Sequence, residues 1–276
     1  MTIGVTGATG QLGRLAVAAL KAKGADVVAL VRDTGKAADL GVAARVFDYK
    51  AADAAALAGI ETLVLISSND FDDRAGQHKK VIAAAKTAGV KRVVYTSLLK
   101  GDASPMILAG DHIATEAALK DSGLTYTILR NGWYLENHTG NLGGAIGAGA
   151  MIGSSGEGRI SAASRQDYAE AIAAVAGAGH ENKVYELAGD DSFTVAEMAT
   201  VVSQVTGKTI PFNNLPEDTY AGILQSFGLP EGFAKILADS DVQASKGALF
   251  DDSKTLSRLI GRPTTKMADA VKAALS

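Results

Sequence analysis

Short apolar segments alternate with longer amphipathic segments along the first half of the chain. The apolar segments have the length of strands and are hydrophobic almost throughout, which is typical of parallel strands buried on both faces. The longer segments place apolar residues at helical spacing, as in the stripe from Leu12 to Leu20. The pattern predicts strands at 3–6, 26–31, 44–47, 62–67, 92–96 and 125–129, and helices at 11–23, 36–40, 51–58, 77–88 and 112–121.

Strands separated by helices favour a parallel sheet with helices on both faces. We therefore predict an α/β chain in which residues 1–130 form a Rossmann-like, doubly wound parallel sheet. After Arg130 the pattern changes: the glycine-rich stretch 140–158 predicts a loop, 166–176 a helix and 184–187 a strand. Thr194, three residues before Glu197, predicts a capping box. Residues 131–276 are expected to form mainly a smaller α/β domain, with segments that return to the sheet.

The stretch TGATGQLG at 6–13 joins the first predicted strand to the first predicted helix. Its glycines have the spacing GxxGxxG, in the strand–turn–helix context of a dinucleotide-binding turn. The first glycine permits a tight turn, the second lets the backbone approach a pyrophosphate, and the third lets the helix pack closely. Backbone N–H groups then meet the phosphates, whereas the alternative is a glycine turn without a ligand. The predicted site consists of Gly7, Ala8, Thr9, Gly10, Gln11, Leu12 and Gly13.

The residue after the second strand indicates which dinucleotide is bound. An acidic side chain there binds the ribose hydroxyls of NAD, whereas an arginine accommodates the 2′-phosphate of NADP. Arg32 follows the stretch VVALV, and its planar guanidinium suits a phosphate. We predict NADPH over NADH, although Asp33 could face the ribose instead and Arg32 could be a solvated loop charge. Asp48, just after the third strand, is expected to lie near the adenine.

Composition and charge restrict the other function classes. The net charge of -3, without a basic block, gives no support for nucleic-acid binding. The chain has no cysteine, which rules out disulfides and thiolate chemistry, and its histidines lack the partners of a metal site. No apolar run approaches the roughly 20 residues of a membrane span, and the N-terminus does not have the pattern of a leader. We expect a cytoplasmic protein without a metal. The sequence is compatible with a homo-oligomer and does not define the oligomeric state.

Several longer motifs resemble one protein family. The glycine turn resembles that of the NmrA-like branch of atypical short-chain dehydrogenases. LVLISS, QHKKVIAAAKTAGVKRVVYTSLL, HIATE, YTILRNGWYLEN and VQASKGALFDDSKTLSRLIGRPTT resemble the bacterial NAD(P)H:quinone oxidoreductases of type 2 over essentially the whole chain. The resemblance implies a flavin-free enzyme that binds NADPH in its N-terminal domain and meets a quinone in a cleft between domains. A triphenylmethane dye reductase is similar in the glycine turn and in the HIATE segment.

The helix after the fifth strand lacks the Tyr-x-x-x-Lys pair of the main short-chain dehydrogenase branch. His112 and Glu116 have the same four-residue offset, which places both side chains on one helix face. A quinone does not require a strong acid, because its reduced anion is aromatic and weakly basic. We predict that the enzyme mainly positions its reactants, with His112 charged or a proton donor at neutral pH. The alternative is a structural helix pair of His112 and Glu116.

Polar and aromatic residues follow the later strands, at the edge where ligands bind in such sheets. Ser97 is expected near the nicotinamide, or as a turn cap, and Ser67 and Ser68 near the pyrophosphate and ribose. Flat aromatic side chains suit a quinone and an amide suits the nicotinamide carboxamide, although Trp133 could simply pack a domain junction. The predicted substrate residues are Asn131, Trp133 and Tyr134, and the resemblance adds Asn137, His138 and Arg165 to the cofactor site.

Two alternatives remain open on these residues. One is reduction of a dye or another conjugated electrophile by the same machinery. The other is an NmrA-like redox sensor that binds NADP(H) without catalysis. Consumption of NADPH in the presence of a quinone distinguishes an enzyme from a sensor.

Overall fold

The computed structural model describes residues 1–276. Its strands are β1 (Thr2–Thr6), β2 (Asp26–Val31), β3 (Ala43–Val46), β4 (Thr62–Leu65), β5 (Arg92–Leu98), β6 (Thr125–Asn131), β7 (Met151–Gly153), β8 (Lys183–Leu187) and β9 (Phe212–Asn214). Short 3-10 helices cover Thr34–Leu40, Tyr49–Ala51, Ala54–Leu57 and Gly101–Ala103.

Eleven α-helices complete the structure. They are α1 (Gln11–Ala22), α2 (Arg74–Thr87), α3 (Ala109–Asp121), α4 (Leu135–Thr139), α5 (Leu142–Ala148), α6 (Arg165–Val175), α7 (Val195–Thr206), α8 (Glu217–Ser226), α9 (Glu231–Ser245), α10 (Thr255–Ile260) and α11 (Met267–Leu275). Of these, α1, α2, α3, α6 and α7 lie close to predicted positions. None of them is long and apolar enough to cross a membrane.

The main sheet has the strand order β3-β2-β1-β4-β5-β6-β8. The pairings among the first six strands are all parallel, with Gly4 opposite Val28 on one side and Leu63 on the other. The predicted α/β class and doubly wound parallel sheet are therefore confirmed. The order reverses between β1 and β4, and ligands bind at such a switch point, outside the carboxyl ends of the strands.

The chain divides into two compact units. The first comprises Met1–Gly101, Asp111–Asn131 and Arg165–Glu186, so that α6 and most of β8 return to the sheet, where α6 packs against α1. Its core includes the buried side chains of Leu30, Leu63 and Tyr95. The second comprises Asp102–Gly110, Gly132–Ser164 and Leu187–Ser276, and it contains a parallel pair of β7 and β9.

Two predicted elements are wrong. The predicted helix at 51–58 is replaced by short 3-10 turns, because the carboxylates of Asp48 and Asp53 accept backbone N–H groups two residues ahead and favour turns over a continuous helix. The predicted loop at 140–158 contains α5 and β7. Helix α5 forms despite its glycines, since Leu142 is buried and Gly149 ends the helix in the left-handed conformation. The predicted capping box of Thr194 and Glu197 is confirmed.

Candidate cofactor site and active site

The glycine turn between β1 and α1 is a tight backbone cradle. Gly7 has a φ of +59°, a left-handed conformation that glycine adopts without strain, and the Gly10 N–H donates to its carbonyl oxygen at 2.9 Å. A Cβ at Gly13 would lie 2.1 Å from the Gly7 carbonyl oxygen and 2.8 Å from the Ala8 Cα. Any side chain at residue 13 would therefore push the helix away from the turn.

The N-terminus of α1 is left open for an anion. Gly10 provides no side-chain cap, and the first turn contains no acidic residue. The first backbone bond within the helix runs from the Arg14 N–H to the Gly10 carbonyl oxygen at 2.9 Å, so the N–H groups of Gln11, Leu12 and Gly13 precede the helical ladder. Uncapped N–H groups at the positive end of a helix dipole fit a pyrophosphate.

Beneath the turn, Tyr49 joins the ends of two neighbouring strands. Its hydroxyl lies 2.6 Å from Thr6 Oγ1 and 2.7 Å from the Ile66 carbonyl oxygen, at the carboxyl ends of β1 and β4. Thr6 Oγ1 also accepts the Ile66 N–H at 3.1 Å. Burial raises the pKa of Tyr49, so the hydroxyl keeps its proton. No local sequence pattern around Tyr49 indicates this contact.

Arg32 and Asp33, the two candidates for contact with the ribose or its phosphate, have different surroundings in the loop after β2. The Asp33 carboxylate accepts the Gly35 N–H at 2.9 Å and caps the 3-10 helix Thr34–Leu40. Arg32 is exposed and makes no hydrogen bond or ion pair. Its guanidinium is therefore available for a phosphate. One carboxylate oxygen of Asp48 is already used within the chain, since it accepts the Lys50 N–H at 2.9 Å.

Ser68, in the loop after β4, forms hydrogen bonds through its N–H, its hydroxyl and its carbonyl oxygen. Its N–H donates to His78 Nε2 at 2.9 Å, its hydroxyl donates to Gln77 Oε1 at 3.0 Å, and its carbonyl accepts Arg74 Nε at 2.6 Å. The neighbouring Ser67 N–H donates to Thr96 Oγ1 on β5 at 2.9 Å. These bonds fix the course of the loop that passes the switch point.

His78 is a structural residue that the sequence did not reveal, since it shows no motif. Its ring is completely buried, and Nδ1 lies 2.9 Å from Thr115 Oγ1 on α3. Because Nε2 accepts the Ser68 N–H, the proton is on Nδ1. Burial lowers the pKa of His78 to about 3, with a smaller contribution from the Arg74 charge.

His112 lies on α3 as predicted, but its two ring nitrogens face inward. Nε2 lies 3.4 Å from Arg74 Nη1, and Nδ1 lies 2.8 Å from the Tyr95 hydroxyl. A guanidinium only donates, so Nε2 accepts and Nδ1 carries the proton toward Tyr95. Burial first, then the charges of Arg74 and His78, hold the pKa of His112 well below its ordinary value. The expectation that this imidazole is charged at neutral pH is therefore wrong.

Glu116 forms a separate buried cluster with Ser97 and Arg130. The Ser97 hydroxyl donates to Glu116 Oε1 at 2.7 Å, and Arg130 donates to the same carboxylate through Nε and Nη2. Burial raises the pKa of Glu116, but the hydrogen bonds from Arg130 and Ser97 prevail and hold it below its ordinary value. His112 and Glu116 share a helix face without pairing with each other, and so the alternative of a mutual helix pair is also wrong.

Arg130 further fixes the loop after β5. Its Nη1 donates to Glu186 Oε1 at 2.9 Å, and the other oxygen of Glu186 accepts the Lys100 N–H at 2.7 Å. Lys100 has a φ of +67°, and a Cβ on Gly101 would lie 2.1 Å from Arg130 Cζ. The guanidinium therefore lies against bare backbone and holds this loop at the carboxyl edge of the sheet.

Asn131 ends β6, beside Leu98 of β5. Its side chain is 3% exposed, and neither its amide nitrogen nor its amide oxygen has a hydrogen-bond partner. An unpaired buried amide is costly, and such groups are usually bonded to water or to a ligand. This residue ends the second of the three segments that form the first unit.

The remaining predicted residues, except Arg165, lie in the second unit. Trp133 and Tyr134 belong to an extended segment whose backbone bonds to Ala163, with the Ala163 N–H donating to the Trp133 carbonyl oxygen at 3.1 Å. In α4, Asn137 is exposed, and His138 packs its ring against Phe193 with centroids 5.7 Å apart.

His138 and Arg165 differ in their surroundings. Burial lowers the pKa of His138 to about 4, and its Nε2 has no hydrogen-bond partner. Arg165 is half-buried at the start of α6, in the first unit.

Of the predicted cofactor residues, the glycine turn, Arg32, Asp48, Ser67 and Ser68 lie together at the carboxyl edge of the sheet, because each follows one of the strands β1 to β4.

Comparison with protein families gives one match over most of the chain. A model of NAD(P)H-binding proteins matches residues 7–178. This region contains the glycine turn, the strands β2 to β7 and the helices α1 to α6.

Individual relatives extend the match to both ends. The chain is 51% identical over 277 residues to Quinone oxidoreductase 2 of Escherichia coli (strain K12), covering 98% of this chain and 97% of the relative. A crystal structure of an NADPH-dependent quinone oxidoreductase from Escherichia coli, complexed with NADPH, has a TM-score of 0.95 at 50% identity over 99% of this chain and 100% of that chain. The triphenylmethane reductase of Citrobacter sp., complexed with NADP(H), has a TM-score of 0.91 at 35% identity, with 99% of each chain covered. These matches confirm the resemblance that the motifs indicated.

Proposed function

This chain belongs to the family of NAD(P)H-binding proteins, and we propose that it is an enzyme that reduces quinones with NADPH by direct hydride transfer, without a flavin. The similarity to Quinone oxidoreductase 2 of Escherichia coli supports the reaction class. The bare cradle at Gly7–Gly13 carries the cofactor assignment, because only a glycine at residue 13 allows α1 to begin so close to the turn. NADPH supplies the hydride when it is bound.

The unpaired Arg32 supports the preference for NADPH over NADH. Asp33 is occupied by the Gly35 N–H, whereas the Arg32 guanidinium has no partner within the chain. A free, planar cation beside the second strand suits the 2′-phosphate that distinguishes NADPH. The open N–H groups of α1 serve the pyrophosphate, which both nucleotides share.

The buried network explains why a quinone is a suitable acceptor. Reduction of an isolated carbonyl requires a strong proton donor, and this chain lacks the Tyr-x-x-x-Lys pair that provides one in the main short-chain dehydrogenase branch. The His112 proton is donated to Tyr95, and the Ser97 hydroxyl is donated to Glu116. A quinone needs no such donor because its reduced anion is aromatic and weakly basic, so water suffices as the proton source. We therefore assign His112, Glu116 and Ser97 to positioning the strand edge.

The other site residues follow from their places in the chain. Residues 131–276 are proposed to bind mainly the acceptor, whereas residues 1–130 bind mainly the cofactor. The flat side chains of Trp133 and Tyr134 suit the quinone ring. The proposed cofactor contacts also include Asp48, Ser67, Ser68, Asn137, His138 and Arg165, and the proposed acceptor contacts are Asn131, Trp133 and Tyr134.

The test is the loss of NADPH absorbance when a simple quinone is added to the purified protein. Loss that depends on both enzyme and quinone supports the proposal. Saturable NADPH binding without turnover on any acceptor would instead identify a redox sensor. A panel of quinones and triphenylmethane dyes, each assayed with NADPH and with NADH, separates quinone reduction from dye reduction. The dyes are included because the chain is similar to the triphenylmethane reductase of Citrobacter sp..

The proposal that His112 transfers no proton has its own test. The variant His112→Ala is expected to retain quinone reduction with an unchanged pH profile, because its imidazole transfers no proton to the product. A pH-dependent loss of kcat that follows removal of the ring would show that His112 acts as an acid.

A further inference from the structure

Arg14 joins two loops that lie at the proposed nucleotide site. Its Nε donates to the Thr9 carbonyl oxygen at 3.2 Å, within the glycine turn. Its Nη2 donates to the Lys36 carbonyl oxygen at 2.8 Å, and its Nη1 pairs with the Asp39 carboxylate at 2.6 Å. One guanidinium thus spans from the phosphate cradle to the segment that follows β2.

The tethered segment is the 3-10 helix Thr34–Leu40, which begins two residues after Arg32. Helix α1 also holds its far end, where Lys21 Nζ donates to the Leu40 carbonyl oxygen at 2.7 Å. The Asp33 carboxylate caps its near end. Of these tethers, only Arg14 connects the segment to the glycine turn.

The charge of Arg14 is already used within the chain. Asp39 balances it, and three of its nitrogens face oxygen atoms of the protein. Arg32 has no such partners and precedes the tethered segment by two residues. The two arginines therefore differ in role: one is available to a ligand, and the other fixes the backbone near it.

We propose that Arg14 is a positioning residue that sets the selectivity for the 2′-phosphate of the nucleotide, because it holds the loop of Arg32 at a fixed place relative to the phosphate cradle. This inference rests on the proposed function. A 2′-phosphate must reach Arg32 while the pyrophosphate lies on α1, so the spacing of the two loops matters. A nucleotide without a 2′-phosphate needs only the cradle, and its binding is insensitive to that spacing.

The experiment compares NADPH and NADH binding to the full-length protein and its variants by titration, together with KM and kcat for a quinone. Arg14→Ala is expected to raise the Kd and KM for NADPH about 10-fold, and those for NADH less than about twofold, with kcat unchanged. Lys21→Ala is the matched control, since it releases the far end of the same segment, and we expect it to leave the ratio of the two Kd values unchanged. Arg14→Lys keeps the charge but cannot bridge the same acceptors, and is expected to lose most of the selectivity.

Two results would overturn the inference. One is a ratio of NADH to NADPH Kd values that is unchanged in both Arg14 variants. The other is an equal loss of affinity for both nucleotides, which would place Arg14 in the shared cradle. If Arg14→Ala does not fold, Arg14→Lys decides between these outcomes. Failure of the parent protein to bind NADPH would refute the proposed function instead.

Discussion

The Glu116 carboxylate accepts hydrogen bonds from both Nε and Nη2 of Arg130, at 2.9 and 2.8 Å. The two side chains are 4% and 14% exposed, so the pair is shielded from water. It connects α3 to β6, and the Ser97 hydroxyl extends it to β5. A bidentate pair of this kind specifies geometry as well as energy.

Removal of the charge from this pair should destabilise the fold. Glu116→Gln keeps the volume of the side chain but removes the charge that faces Nε and Nη2 of the shielded Arg130. We expect the free energy of unfolding to fall by about 2–4 kcal/mol, because breaking one side of a buried pair leaves an uncompensated charge. Urea denaturation followed by circular dichroism measures this change.

The matched control is Glu231→Gln, since Glu231 forms an ion pair with Lys235 at 2.7 Å on the surface of α9. Exposed pairs contribute little, so the unfolding midpoint of this variant should equal that of the parent. Equal midpoints for Glu116→Gln and the parent would contradict the structural role of the buried pair.

The buried histidines should make the protein less stable in mild acid. Imidazoles of the unfolded chain take up a proton near pH ~6.5, whereas His78 in the folded protein does so only at about 3 and His138 only at about 4. Below pH ~6.5 the unfolded state therefore binds more protons, and the free energy of unfolding falls as the pH decreases. Above pH ~6.5 these histidines are neutral in both states and no stability is lost. Below it, each such histidine lowers the free energy of unfolding by at most about 1.4 kcal/mol per pH unit.

Ring-nitrogen NMR tests the assignment, since the chain has only four histidines. The rings of His78 and His138 should remain neutral at pH ~5.5, because their folded pKa values are about 3 and about 4. The ring of His112 should be neutral near pH ~6.5, because burial and the nearby charges lower its pKa. His78 and His112 should both show the proton on Nδ1. A charged His112 ring in the folded protein near pH ~6.5 would contradict the inward hydrogen bonds described above.

A methyl group at Gly13 should deform the phosphate cradle. In Gly13→Ala the new Cβ would lie 2.1 Å from the Gly7 carbonyl oxygen, so either the turn or α1 must move. We expect at least about a 10-fold weaker affinity for NADPH and for NADH alike, since both place a pyrophosphate on this turn. Fluorescence titration with each nucleotide measures the loss.

Gly222→Ala serves as its control, because the Cβ would meet no atom within 4 Å on α8. Alanine favours a helix over glycine, so this variant should be about 0.5–1 kcal/mol more stable and should bind nucleotide normally. Normal NADPH affinity in Gly13→Ala would mean that the cofactor does not rest on this turn.

Loss of the Arg32 side chain should reduce the preference for NADPH. Arg32→Ala removes an exposed guanidinium that has no partner in the chain, so stability should not change. We expect the KM for NADPH to rise about 10-fold or more, whereas the KM for NADH stays within about twofold, because a hydrogen bond to a charged phosphate is lost only for NADPH. Steady-state kinetics with a fixed quinone and both nucleotides checks the ratio, and a full NADPH preference in the variant would disprove the role of Arg32.

The sequence by itself determined the fold, and it predicted the turn on which we propose that the cofactor binds. Apolar segments of strand length, separated by amphipathic helices, predict a parallel sheet because both periods are local properties of the chain. The spacing of Gly7, Gly10 and Gly13 likewise describes one continuous turn. Errors arose where short-range capping competed with helix periodicity, as at Asp48 and Asp53.

Only the tertiary structure decided what the polar side chains do. His112 meets Arg74 from 38 residues away, and Tyr49 reaches Thr6 from 43 residues away, so no local pattern encodes either contact. The sequence placed His112 and Glu116 on one helix face. It did not show that burial between separate elements keeps one neutral while Arg130 keeps the other charged. The physical reason is that protonation depends on the groups packed around a side chain, and those groups come from strands and helices that the fold alone brings together.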